Sequence, residues 1–533
     1  METDCSKISF AETGSFSKLV TDYIDQTPEI RPFYKHTVDE SGFLAAIEDR
    51  KQFATPRKVL QQVLRQQYKD LPDNEKALQQ IDRLESENTF TVITAHQPNL
   101  FTGPLYFLYK IIHAIRMADD FNEKWPQHYF IPVYYMGSED ADLDELNHFY
   151  IHGEKRVWAT EQTGAVGRMN TKEIKPLIEA LSGEFSLLPH GKEIISMLKK
   201  AYLEQPDIQS ATLHLVHGLF ARFGLLIVIA DHPALKACFI PVMKQELLTQ
   251  YSSKTIASTL DSLNALYKVQ APGREINLFY LFEDGRRERI EQIGEDYRVL
   301  FSDLRFTQAE MISELEKHPE KFSPNVILRG AYQETILPNI AFVGGGAELA
   351  YWMELKALFA GLAIPYPVLV IRNSFLLMNP KAQSLSDKLS VHGPDLFFNL
   401  QEQQNLLVTR SHGQLPDTEE AQKEVFAIYT GLQEKLLKID PTLQTHAAAL
   451  HAKTLKGLKE LTKKMQRAER RKIEDETRQL EHLKALIFPN DNLQERVENM
   501  IPFYAFYGPD FLDMLYKNSG AFDQRFAIIN LKN

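Results

Sequence analysis

Cysteine is nearly absent from this 533-residue sequence, which has only Cys5 and Cys238. Two thiols 233 positions apart exclude a disulfide framework and a thiolate zinc site, and their scarcity predicts a reducing compartment. Long apolar runs are missing as well. The purest, Leu225 to Ala230, has the length of a buried strand, far from the roughly 18–20 residues of a membrane span. The opening METDCSKISFAETGSF lacks the basic start and apolar block of a secretory signal, so a cytoplasmic protein without membrane attachment is expected. Positive charge is in deficit, 60 Lys and Arg against 71 Asp and Glu, and the net −11 argues against a general affinity for nucleic acid. Low complexity, internal repeats and Gly/Ser linkers are also lacking, and 44% hydrophobic with 25% charged residues is ordinary for a folded soluble chain. At roughly 150 residues per domain the length alone suggests about three units.

The pattern that is present points to an α/β fold. From Phe16 to about Leu84 apolar residues such as Leu60, Val63 and Leu64 recur at helical spacing, broken at Leu71-Pro72-Asp73-Asn74, which predicts a helical lead-in. Thr89 to Thr94 then reads as a strand, AHQPNLFTGP as a loop, and Leu105, Leu108, Ile111, Ile112, Ile115 and Met117 as a helix. Further strands are expected at Tyr129–Met136, Leu225–Ala230 and Val368–Ile371, each alternating with helical stretches. That alternation implies a doubly wound parallel sheet, with ligands beyond the strand ends after Thr94, Met136, Ala230 and Ile371. Asp284-Gly285 between two apolar-alternating arms predicts a hairpin inserted on that core.

The last third differs. From Thr418 to Ile487 there is one proline, Pro441. Leu458, Leu461, Met465 and Ala468 step by 3, 4 and 3, and then Ile473, Leu480 and Ile487 step by seven, which predicts a stutter in a long helical hairpin or coiled coil. Lys453, Lys456, Lys459, Lys463, Lys464, Arg467, Arg470, Arg471 and Lys472 face only Glu460 and Glu469, a local net of +7 inside an acidic chain. A solvated helix face accounts for such a run more readily than an RNA site does, since the rest of the chain is acidic. The expected division is a catalytic core over residues 1–380 and a helical, coiled-coil and C-terminal region over 381–533.

Three segments carry candidate chemistry. In the loop after the first strand, His96, Gln97, Asn99, Thr102 and Gly103 bring polar groups to a helix N-terminus, a place for a phosphate or carboxylate, although an ordinary turn uses the same residues. After the second strand come Ser138, Glu139, Asp140, Asp142, Asp144, Glu145, Asn147 and His148; five carboxylates in seven residues repel unless offset by a substrate ammonium, Mg²⁺ or a helix start. A dedicated metal site is not expected there, since one histidine and no cysteine make a poor set for zinc. Third, Arg329 and Gln333 precede Gly344-Gly345-Gly346, which lets backbone approach a phosphate or nucleotide and leads into a helix with Glu348, Tyr351, Trp352 and Lys356. Arg329 and Arg372 are of the type that clamps carboxylates, and equally of the type that forms structural ion pairs.

Taken together, TAHQPNLFTGPLYFLYK (94–110), YYMGSEDADLDELNH (134–148), FGLLIVIADHP (223–233), FSPNVILRGAYQETILPNIAFVGGGAELAYWMELK (322–356) and ERVENMIPFYAFYG (495–508) resemble the cysteine ligase family of bacillithiol biosynthesis, over essentially the whole chain. The resemblance implies a Rossmann-like core with inserted connecting pieces, a dimerising coiled coil, and kinship with class I synthetases and nucleotidyltransferases. It implies addition of cysteine to glucosaminyl-malate by amide formation, the last step of the pathway, with ATP as the activating co-substrate and Mg²⁺ as its companion. Many members of that family read Glu-Asp-His-Asp where this chain has Glu139-Asp140-Ala141-Asp142, so the role of that histidine does not transfer; His96 or His148 are the substitutes at hand. On this reading His96, Glu139, Asp140, Asp142 and His148 are the catalytic candidates; Gln97, Asn99, Thr102, Gly103, Ser138, Asn147, Arg329, Gln333, Glu348, Tyr351, Trp352 and Arg372 bind substrate; Gly344, Gly345, Gly346 and Lys356 hold phosphate. Two rivals stay open: an RNA-binding aminoacyl or nucleotidyl transferase using the basic run, and a non-catalytic dimeric scaffold of the same fold.

Overall fold

The computed structural model describes residues 4–270, 273–412 and 415–532. They form two compact units, one from Met1–Ala11, Ser15–Leu377 and Asn492–Lys532, the other chiefly from Met378–Asp491.

At the centre of the first unit is a parallel sheet of β1 (Thr89–His96), β2 (Tyr129–Met136), β3 (Leu226–Ile229), β4 (Asn339–Gly344) and β5 (Val368–Ile371), in the order β5-β4-β1-β2-β3. All four pairings are parallel. The strands are near-continuous apolar or β-branched runs because both faces are covered, and even the hydroxyl of Thr94 in β1 is buried, donating to the Val343 carbonyl at 2.9 Å. α1 (Tyr106–Lys124) packs on the sheet, so that Met117, Phe121 and Trp125 meet Phe90, Phe130, Val343 and Val368 in one apolar cluster. Each such side chain contributes about 1.5–3 kcal/mol when fully buried.

The sequence left β4 unassigned as a strand. Asn339-Ile340-Ala341-Phe342-Val343 is short and runs directly into glycines, yet it is the neighbour of β1 and makes the sheet doubly wound. Chain direction across the sheet reverses between β1 and β4, which places the topological switch at their carboxyl ends.

The expected lead-in is helical, with Lys18–Ile24, Glu40–Lys51, Arg57–Tyr68 and Glu75–Arg83. Arg50 ties it to the core: its guanidinium reaches Glu334 Oε2 at 2.5 Å and the Asn339 carbonyl at 2.8 Å, all in the interior. The expected hairpin forms between Leu278–Leu281 and Arg287–Ile293, with Gly285 at φ 89° in the turn, and extends to a five-stranded antiparallel sheet.

The second unit is helical: Pro380–Leu389, Leu400–His412, Glu419–Leu437, Thr442–Lys472 and Glu474–Ile487. Pro441 begins the return helix of a hairpin held by Tyr429 stacked on His451 at 5.0 Å and by a Thr418–Thr462 hydroxyl contact of 2.8 Å. The register change is not a stutter within one helix. The helix stops at Lys472, Ile473 takes φ −110° and ψ 40°, and a new helix starts at Glu474, because burying Ile473, Leu480 and Ile487 requires a different face. Residues beyond the helical unit, Asn492–Lys532, belong to the first unit, where Phe526–Asn530 pairs with Asp4–Ile8. Among the described residues no helix is long and apolar enough to cross a membrane.

Candidate active site

All five parallel strands end at one cleft of about 940 Å³. His96 and Gln97 enter it after β1, Gly137 to Asp140 after β2, Ala230 after β3, Gly345 to Glu348 after β4, and Arg372 after β5. The four strand ends singled out from the sequence converge here, joined by the β4 end it did not name as a strand.

The loop after β1 is a strained turn. Phe101, Thr102 and Gly103 have φ of 50°, 72° and 61°, and left-handed non-glycine residues cost of order 1–3 kcal/mol each. Surrounding groups enforce it: Asn499 Nδ2 donates to the Phe101 and Gly103 carbonyls at 2.9 and 2.7 Å, and the Phe101 N–H donates to the Tyr202 hydroxyl. Thr102 and Gly103 are thus turn residues outside the cleft lining, and a Cβ on Gly103 would sit 2.6 Å from Asn99 Nδ2. His96, Gln97 and Asn99 do line it. His96 Nδ1 lies 3.0 Å from the Gln97 backbone nitrogen and 3.3 Å from its carbonyl oxygen, and Nε2 lies 3.4 Å from the Tyr106 hydroxyl. Burial, reinforced by Lys110, Arg329 and Arg372, holds His96 well below the ordinary imidazole range. Its ring lines the cleft with Nδ1 beside Gln97 and Nε2 beside Tyr106. His148 also lines the cleft, half-buried, with burial and then Lys155 lowering its pKa.

The acidic segment divides. Asp140 accepts from Gln97 Nε2 at 2.9 Å and from the Ala141 N–H at 2.8 Å. Burial raises its pKa, but Gln97, Arg329 and Arg287 outweigh that and keep the carboxyl below its ordinary range, hence ionised. Glu139 lies 2.5 Å from Lys236 Nζ; burial raises its pKa and Lys236 opposes the rise. Asp142 instead caps the short helix Leu143–Leu146, Asp144 is exposed, and Asn147 and Asp142 lie outside the lining. Repulsion among the five acids is therefore relieved by separation and by protein cations. Among the described residues no group of three or more His, Cys, Asp or Glu is placed to hold a metal ion.

α2 (Val326–Ile336) starts where Asn325 accepts from the Ile327 N–H at 2.9 Å, and it carries Arg329 into the cleft. Arg329 donates to the Tyr351 hydroxyl at 3.2 Å and has no carboxylate partner among the described ion pairs. Burial disfavours its charge, but Tyr351 and Asp140 more than compensate and its pKa is raised. Gly137 leaves it room, since a Cβ there would lie 3.3 Å from its NH1 nitrogen. Arg287, from the hairpin, stacks over Phe279 at 4.0 Å and donates to Ser323 Oγ and the Pro324 carbonyl, also without a carboxylate partner among those pairs. Arg372 differs: Glu495, fully buried, accepts two of its hydrogen bonds at 2.6 and 2.9 Å. The expectation of a free carboxylate clamp at Arg372 is corrected, because its guanidinium is already clamped.

At α3 (Gly346–Glu354), the Glu348 carboxylate accepts the Gly345 N–H at 2.8 Å and pairs with Lys110, which also donates to the Ala95 carbonyl at 2.9 Å. Burial above all pushes Lys110 down to about 8. Gly345 and Gly346 line the cleft; Gly344 ends β4, where a Cβ would meet Phe342 Cε1 at 2.7 Å, and is a packing glycine. Three expected site residues lie elsewhere. Gln333 is buried against Glu334, Trp352 is sandwiched between Phe342 and Phe359 at 4.6 and 5.4 Å, and Lys356 donates to the Pro32 carbonyl at 2.6 Å. The helical spacing of Glu348, Trp352 and Lys356 held only for sequence distance; one of the three reaches the cleft. Sequence reasoning missed Lys110, Arg287, Lys236 and Asp231. Lys110 had a signal, a charge on an otherwise apolar helix face, and so had Asp231, which directly follows a strand.

Comparison with known proteins accords with this architecture. The family model described as "Bacillithiol biosynthesis BshC, N-terminal Rossmann-like domain" matches residues 1–373, and that described as "Bacillithiol biosynthesis BshC, C-terminal coiled-coil domain" matches 375–531. A Flavobacterium johnsoniae protein named "Putative cysteine ligase BshC" is 38% identical, with 100% of both chains covered. Proteins of the same name from Christiangramia forsetii and Flavobacterium psychrophilum are 38% and 36% identical, each with 99% of both chains covered. A solved Campylobacter jejuni chain titled as an arginyl-tRNA synthetase aligns with 80% of this chain and 99% of its own at 9% identity and a TM-score of 0.21, a likeness too small to carry an argument.

Proposed function

We propose that this chain, which belongs to the BshC family of bacillithiol biosynthesis, is a cytoplasmic ligase that joins the carboxyl group of cysteine to the amino group of glucosaminyl-malate, the last step of that pathway. The observation that carries the reading is the sorting of charge in one cleft: two arginines without carboxylate partners, Arg329 and Arg287, beside two inward-facing acids, Glu139 and Asp140. The arginines suit the malate carboxylates through planar, charge-assisted pairing. The acids suit a substrate ammonium, and His96 and Tyr106 add hydrogen-bonding groups to the same cleft.

A carboxylate does not acylate an amine near neutral pH, so its oxygen needs a leaving group, which ATP would supply. Gly346 and Lys110 fit the phosphates: beyond Gly345, whose N–H goes to Glu348, the first turn of α3 presents backbone N–H groups, and Lys110 has a third N–H beyond those facing Ala95 and Glu348. Asp140, kept ionised, is the nearer candidate to take the proton of the attacking amine. The helical hairpin exposes Phe426, Ile428 and Ile439 at 60%, 60% and 75%, apolar surface suited to a second copy of the chain.

Deleting the gene should abolish bacillithiol and accumulate glucosaminyl-malate, with restoration by the wild-type chain but not by Arg329→Gln. An unchanged thiol pool would overturn the pathway role. Purified protein titrated calorimetrically with ATP, cysteine and glucosaminyl-malate separately should bind each of them. Sedimentation should give a dimer that Ile428→Glu dissociates.

A further inference from the structure

Glu139 ends a chain of four charges whose other three members, Lys236, Asp231 and Arg168, the function above does not use. Asp231 follows β3, and Lys236 lies on the short helix Pro233–Ala237 behind it. Lys236 is 1% exposed; it donates to Glu139 Oε1 at 2.5 Å and to the Glu320 carbonyl at 3.0 Å, and it is ion-paired with Asp231 Oδ1 at 3.0 Å. Asp231, 3% exposed, receives both arms of Arg168, at 2.7 and 2.9 Å. Arg168 sits on a segment that also holds the acidic loop by its main chain: the Val166 N–H donates to the Asp140 carbonyl at 2.8 Å and the Gly167 N–H to that of Ser138 at 2.9 Å. Gly167 permits the approach, since a Cβ there would meet Ser138 Cβ at 2.5 Å.

Lys236 is buried and lies behind the cleft lining, so anything it does for the cleft passes through Glu139. The chain of charges is neutral as a whole; its open end is the other Glu139 oxygen, at the cleft wall. We propose that Lys236 is a positioning residue that holds the Glu139 carboxylate ionised and aimed at the ammonium group of a bound substrate, with Asp231 and Arg168 fixing Lys236 in place, a role that rests on the ligase reading above. Removing Lys236 would leave two buried carboxylates against one guanidinium, and Glu139 would take up a proton at a higher pH. The other groups facing Glu139 are Arg287 from the hairpin, Tyr135 from β2 and Tyr332 from α2. Of these only Arg287 opposes that protonation, and it is shared with Asp140.

The test uses the full chain and its Lys236→Met, Lys236→Arg, Arg168→Gln and Glu139→Gln variants, with binding of L-cysteine and of glucosaminyl-malate measured calorimetrically across pH. Binding of the amine held by Glu139 should be lost on the acid side, and Lys236→Met should move that limb up by about one pH unit or more, with Lys236→Arg restoring it. Arg168→Gln should move it the same way by less, and it decides the matter if Lys236→Met does not fold. An unmoved limb in a folded variant, or an arginine variant as impaired as the methionine one, overturns the proposal. If the wild type binds neither amine, the ligase reading fails, and the network is read on Glu139 itself by infrared titration of its carboxyl band, assigned with Glu139→Gln. A higher midpoint in Lys236→Met supports the network, and an equal midpoint overturns it.

Discussion

The two units of this chain dispose of charge in different ways. Beside surface pairs such as Arg65 with Asp82, the α/β unit has fully buried ones, Arg50 with Glu334, Arg372 with Glu495, and Lys236 with Asp231, each of these six side chains at most 4% exposed. The helical unit keeps pairs such as Lys472 with Glu469 at the surface and leaves Phe426, Ile428 and Leu461 exposed. The lesson concerns what each arrangement is good for. A buried charge must be matched or it is ruinous, so such pairs fix geometry, whereas solvated pairs add little stability and leave a surface free for partners.

The sharpest way to break this comparison is to orphan a buried charge. Arg50→Met should cost about 3–5 kcal/mol by leaving Glu334 unpaired, and adding Glu334→Leu should recover much of it. Urea unfolding followed by tryptophan fluorescence isolates the effect, because Trp125, Trp158 and Trp352 all belong to the α/β unit.

Acid should separate the units next. Burial depresses His113 from 6.5 to about 4, so between these values the unfolded chain holds a proton the folded one refuses. Stability is therefore full above pH 6.5 and falls as pH drops toward 4, by on the order of 3 kcal/mol for this group. His113→Asn should flatten that part of the profile, and an equally steep decline in the variant would show that other groups govern it.

Within the cleft, Arg329→Gln and Arg372→Gln should diverge. The first should weaken malate binding about tenfold, roughly 1.4 kcal/mol, with little loss of melting temperature; the second should chiefly destabilise, because it orphans Glu495. The same loss of malate affinity in both would erase the distinction between a free and a clamped arginine. Smallest of all, Lys472→Met should change stability by about 0–1 kcal/mol by circular dichroism and leave tryptophan fluorescence untouched.

Much of the framework was legible in the residues. β2 and β5 fall where the apolar runs place them, the Asp284-Gly285 hairpin forms, and Pro441 marks the helical turn. β4 was hidden because five strand residues flowing into three glycines carry no period to read. In the candidate site, Gln97, Glu139 and Asp140 could be named from loops that follow strands, and Arg329 from its residue type. Trp352 and Lys356 could not be told from ligand-facing residues, since helical spacing fixes which residues share a face but not what that face meets.

By itself the sequence determined the α/β class, the helical last third and the loops that meet at the cleft, because those follow from local periodicity and from strand-to-loop transitions. Only the tertiary structure decided which charges are free. Arg329 and Arg372 look alike in the chain, and it is Glu495, 123 positions beyond Arg372, that turns one into a structural pair and leaves the other open to a ligand. Pairing at that range depends on how distant segments pack, and nothing local to either arginine records it.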